Sequence, residues 1–252
     1  MLLVAMLALG TATFAWFTSS TTATAKKLSV KTVKASELQV SSASVDWTDS
    51  LEYNRQNVTL KPVSSDDGTN WFAADAAEKA NSTANLDTVS DVSSNLGSYV
   101  LVDQLNVRNN GEAAVNDVTI SFSISELEAG ASGKYFRMAL VPVTTKGGTP
   151  VASDFAANVY AAASDSADAI ATYTAKSGET PASITTTTIN AASGASVEKN
   201  IGNLTAKGTE GSVKFFNLYL WFEGQDTDCK DATAGNSTPD IEFSVTGDTV
   251  QA

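Results

Sequence analysis

A chain of 252 residues with a net charge of −12, only 17% charged residues and no histidine excludes several functions at the outset. Nucleic acid is excluded as a partner, because no basic patch offsets phosphate repulsion. The missing histidine removes the commonest general base, the commonest zinc ligand and the base of the usual Ser and Cys triads, so the expectation is a protein that is not an enzyme. One cysteine, Cys229, leaves no intrachain disulfide, and Ser, Thr, Ala, Asn and Gly dominate the rest. That usage favours strands, turns and a secreted surface stabilised by a β-core.

The first charged side chain is Lys26. An export-signal apolar region is about 7–15 residues long and ends in small residues, whereas a spanning helix needs about 20. Leu2 to Leu9 is apolar and helix-favourable, Gly10-Thr11-Ala12-Thr13 weakens the helix, and Thr13-Phe14-Ala15 sets small residues at both cleavage positions. Residues 1–15 are therefore expected to be an export signal cut between Ala15 and Trp16, giving an extracellular protein. Nothing basic precedes Leu2, which leaves open a fragment without its basic leader or a form in which residues 1–17 are retained as an N-terminal helix. Lys26, Lys27, Lys31 and Lys34 follow, either touching anionic headgroups before processing or forming a solvated strand face.

Residues 16–45 read as an N-terminal extended segment with intermittent alternation of Leu28, Val30, Val33, Leu38 and Val40. Residues 46–252 are expected to form one all-β, jelly-roll-like antiparallel β-sandwich with polar, Ala-rich insertions. Within it, residues 47–63 read as strand and loop, and Ser65-Asp66-Asp67-Gly68 as a turn. Residues 75–80 read as a short helix on an insertion. Residues 99–108 read as a strand, and Asn109-Asn110-Gly111 as a turn of left-handed geometry. Residues 115–124 follow as a second strand, with Val118, Ile120, Phe122 and Ile124 on one face. This pattern predicts an antiparallel hairpin. Further strands are expected at 135–143 and 185–189, with a helix or irregular excursion over 153–173 and a weak strand and Gly-marked turn in 193–211. Residues 215–222, apolar at nearly every position, predict a core strand covered on both faces, and Ile241, Phe243 and Val245 a closing strand.

The loop from Glu223 to Asp231 holds four carboxylates; it reads as a solvated acidic turn or, through Asp226 and Asp228, as a calcium site, without the spacing of an EF-hand. No other cofactor is expected. Acidic neighbours disfavour a Cys229 thiolate. The sequons at Asn57, Asn81, Asn203 and Asn236 are expected by chance in so Asn-, Ser- and Thr-rich a chain. Trp47 and Trp71 fit either sugar binding or packing.

Three blocks carry a resemblance. They are the Ser/Thr-rich junction from Gly10 to Ala25, the 95–124 strand–turn–strand and the Trp221-Phe222-Glu223-Gly224-Gln225-Asp226-Thr227-Asp228-Cys229 run. Together the chain resembles the TasA/camelysin family of exported proteins of Gram-positive bacteria, over about a third of its residues. The resemblance implies a jelly-roll subunit of an extracellular biofilm-matrix fibre. Such a subunit is a homopolymer in which a newly exposed N-terminal strand, here carrying Trp16, Phe17, Leu28 and Val30, inserts into the next subunit's sheet by β-augmentation. The metalloprotease activity described for camelysin does not carry over, since histidine and a zinc motif are missing. The alternatives are a type-IV-pilin-like filament subunit with residues 1–17 as a core helix, and a singly displayed adhesin or binding module.

Overall fold

The computed structural model describes residues 28–32, 37–53, 60–74, 89–124, 136–161, 190–191, 197–224 and 241–249. In chain order its strands are β1 (Leu28–Thr32), β2 (Leu38–Ser41), β3 (Ser50–Tyr53), β4 (Phe72–Ala74), β5 (Val89–Asp91), β6 (Val100–Asn109) and β7 (Val115–Ile124). They continue with β8 (Phe136–Val143), β9 (Val159–Ala161), β10 (Asn190–Ala191), β11 (Val197–Leu204), β12 (Val213–Phe222) and β13 (Ile241–Thr249). A short helix, α1 (Ala152–Ala157), follows β8, and a 3-10 segment spans Ser93–Ser98.

Two sheets face each other. The first has the order β11-β7-β13-β1-β3, the second β10-β9-β8-β12-β6-β2, and a separate ribbon pairs β4 with β5. Pairing is antiparallel except between β1 and β13 and between β9 and β10. The expected all-β sandwich is what the chain builds. Each inner face follows the period-two pattern of a half-buried strand. Val118, Ile120 and Phe122 of β7 are buried, as are Ile241, Phe243 and Val245 of β13. Opposite them lie Leu105 and Val107 of β6, Met138 and Leu140 of β8 and Leu218 and Leu220 of β12, all in one core with Val30, Leu38, Val40 and Leu51.

The second sheet is apolar on its outer face as well, as the continuous apolar run of β12 predicts. There Tyr219 and Trp221 pack with Val141, Phe155 of α1 and Trp71. Trp71 meets Trp221 edge to face, with ring centroids 5.3 Å apart at 83°, and Phe155 at 5.9 Å and 86°. Contacts of this kind add about 0.5–1.5 kcal/mol each beyond area burial. Trp71 is fully buried, so its role is packing, whereas the Trp47 ring lies 4.6 Å beneath the Arg108 guanidinium. Gly68, at φ 70°, turns the 60–74 segment beneath Phe155, in the space a Cβ would need.

The predicted 99–124 hairpin is corrected. Both strands form where expected, but β6 lies in the second sheet and β7 in the first, so the turn between them carries the chain across the sandwich. Alternation reports which face of a strand is buried, and a hairpin and an arch bury the same face; it carries no information on the partner. The left-handed geometry is also elsewhere. Of the non-glycine residues described, Asp117 alone has positive φ, at 51°, and Gly111 is not left-handed. Asp117 sits where β7 bulges against β13, between the Thr119–Thr246 and Asn116–Asp248 pairs. Gly111 is needed for a different reason: a Cβ there would run into the Glu37 side chain. Asn109 holds the arch, accepting from Gly111 N at 2.8 Å and donating to Ala113 O at 2.7 Å and Thr205 O at 2.9 Å.

Candidate assembly strand and its slot

Of the residues expected to drive assembly, Leu28 and Val30 fall in β1. Trp16 and Phe17, the processing pair Ala15 and Trp16, and the calcium candidates Asp226 and Asp228 lie outside the described residues, as do the 75–80 helix and the 185–189 strand. β1 is an internal strand. On one side it runs parallel to β13, with Leu28 opposite Ile241, Val30 opposite Phe243 and Thr32 opposite Val245. On the other it runs antiparallel to β3, with Leu28 opposite Tyr53 and Val30 opposite Leu51. Val30 is fully buried in the main core.

The slot is thus formed by two strands remote in sequence from each other. β3 is its outer wall and ends the sheet. It is secured by Leu51 and by Tyr53, whose hydroxyl donates to Gln104 O of the opposite sheet at 2.6 Å. β2 crosses to the second sheet and pairs with β6, while Val40 and Thr48 exchange backbone hydrogen bonds at 2.8 and 2.9 Å. Walls held by these contacts do not depend on β1 for every anchor. The strand itself is held by main-chain hydrogen bonds, worth about 0.5–1.5 kcal/mol each net, and by burial of Val30, worth about 1.5–3 kcal/mol. Such recognition reads strand geometry first and alternate side chains second. In the single chain the slot is filled by the chain's own residues 28–32, so the groove is closed within one molecule.

The acidic run after β12 divides in two. Glu223 is not part of a solvated turn: it is fully buried, accepting from Ser64 Oγ and, at 3.1 Å, from Trp221 Nε1. Its backbone neighbourhood is zipped to the 60–64 segment through Val63 N to Phe222 O at 2.9 Å and Gly224 N to Val63 O at 3.2 Å. Arg137, also fully buried, donates to Phe136 O at 3.1 Å. Among the described residues no group of three or more His, Cys, Asp or Glu side chains is placed to hold a metal ion. No described helix is long and apolar enough to cross a membrane.

A second concavity, about 380 Å³, opens on the outer face of the second sheet beside the 147–150 turn. Asn217 Nδ2 donates there to Gly148 O at 2.7 Å and to the Tyr219 hydroxyl at 3.2 Å. Burial pushes the Tyr219 phenol above its ordinary pKa, and the Asn217 hydrogen bond works against that shift. The sequence alone singles out neither this concavity nor the contact of Lys199 with Asn158. Both join residues far apart in the chain, and no local spacing announces them.

Comparison with known proteins returns no matching family model, no matching curated protein and no matching solved structure.

Proposed function

We propose that this protein is a structural subunit of an extracellular fibre, in a biofilm matrix or a cell-surface filament, and that it polymerises by passing its N-terminal strand to the next copy. The observation that supports the reading most directly is the position of β1. This strand is an internal member of a sheet, buried at Val30 and paired with nearby β3 on one side and with sequence-distant β13 on the other. A neighbour's residues 28–32 fit the same slot in the same register, since every contact available to one copy's strand is available to another's. The jelly-roll-type sandwich is then the rigid body, and cleavage between Ala15 and Trp16 frees the segment that exchanges. The resemblance in the N-terminal junction, the 95–124 block and the Trp221–Cys229 run points the same way.

The experiment is N-terminal sequencing of the exported protein with electron microscopy of the same sample, beside a chain lacking residues 16–30, which removes most of the exchanging strand and whose fold is checked by circular dichroism. A start at Trp16, fibres from the intact chain and folded monomers from the deletion are expected. Normal fibres from the deletion would overturn strand exchange. A start at Met1 with thin helical filaments would favour the pilin-like alternative.

A further inference from the structure

We propose that Lys199 and Asn158 form an intramolecular isopeptide bond that joins the two sheets covalently at their open side. Lys199 lies on β11, the edge strand of the first sheet, in register with Ile120 of β7. Asn158 ends α1 and leads into β9 of the second sheet. Lys199 Nζ is in direct contact with Asn158 Oδ1 across 41 positions of sequence. The amide is held for attack: Asn158 Nδ2 donates to Asp154 O at 2.6 Å, and Asn158 is only 8% exposed. Lys199 is half-buried, and the neighbouring Ile120, Phe122 and Tyr160 are buried, the Phe122 and Tyr160 rings edge to face at 4.9 Å.

A reactive amine needs to lose its proton, and Asp154, in the first turn of the short helix that ends at Asn158, carries the carboxylate proposed to take it. Burial lowers the Lys199 pKa, while the charge of Asp154, close enough to act on the amine, partly restores it. The arrangement is a partly desolvated lysine in contact with the Asn158 amide, with a carboxylate on the same short helix. Asp154 takes a proton from the Lys199 ammonium. The freed Nζ lone pair forms a bond to Asn158 Cγ, and the Cγ–Nδ2 bond breaks. Nδ2 takes up one proton from Nζ, relayed through Asp154, and the one Asp154 first removed, and leaves as an ammonium ion. An ammonium and a carboxamide become a secondary amide and ammonium, so atoms and charge balance and no oxidant, reductant or cofactor enters.

The bond holds whether or not the protein polymerises, so its test is separate from that of fibre formation. Intact-mass measurement of the purified full chain, calculated for its own N-terminus, should show a deficit of one ammonia. Peptide mapping should return a branched peptide containing Asn158 and Lys199. Lys199→Arg and Asp154→Ala chains, folded by circular dichroism, should appear at full mass, and an Asn158→Asp chain should lose water instead of ammonia. A folded wild-type chain at full mass, with Asn158 and Lys199 in separate linear peptides, would overturn the proposal, and so would an ammonia deficit mapped to another residue.

Discussion

Glu223 shows what a single carboxylate can conceal. In sequence it opens an acidic run and reads as surface; in the fold it is the acceptor for two donors inside a dry aromatic core. Local composition misled because the position directly follows a strand that is buried on both faces, and burial of the strand extends one residue past its last ladder pair. Glu223→Ala leaves the Ser64 hydroxyl and the Trp221 indole without their acceptor, at about 1–3 kcal/mol each. A fall in the urea midpoint is expected, and an unchanged midpoint would contradict the burial described. Trp71 was legible only as a choice between sugar contact and packing. Its setting among Trp221, Phe155 and Tyr219 decides for packing.

At the scale of elements, β6, β7, β8, β12 and β13 were all readable from apolar alternation or continuous apolar runs, because each needs its pattern to bury one or both faces. Their partners were not readable. Asn109-Asn110-Gly111 carries the residues of a tight hairpin turn, yet in the fold Asn109 ties the end of β6 to the arch and to the loop after β11, and Gly111 makes room for Glu37. Turn residues signal a change of direction, and the distance to the next strand decides whether the chain returns alongside or crosses. β1 was predicted as extended but not as interior. Val30→Asp tests that placement, since an unpaired carboxylate between β13 and β3 costs about 3 kcal/mol or more and should collapse both stability and any assembly. A variant as stable as the wild type would place β1 outside the sheet.

The whole molecule combines a sandwich with a second aromatic core laid on one of its faces by the 60–74 segment and α1. Fold class was legible because strands with period-two apolar alternation bury one face each and must pack sheet against sheet. The second core was less so, because the segments that build it are short and embedded in polar stretches. At net charge −12, copies repel one another, and salt screens that repulsion over about 10 Å at 0.1 M. If the proposed polymerisation occurs, its growth followed by light scattering should therefore accelerate as ionic strength rises from about 0.01 to 0.1 M, and slower growth at higher salt would point to attraction between opposite charges where copies meet.

The parallel pairing of β1 with β13 also determines how the molecule bears tension. Pulling the start of β1 one way and the end of β13 the other draws two adjacent strands lengthwise past each other. Every hydrogen bond between them is then loaded at once, in shear, rather than broken one at a time as in unzipping. Gripped at these two ends, the molecule meets a pull with its whole ladder.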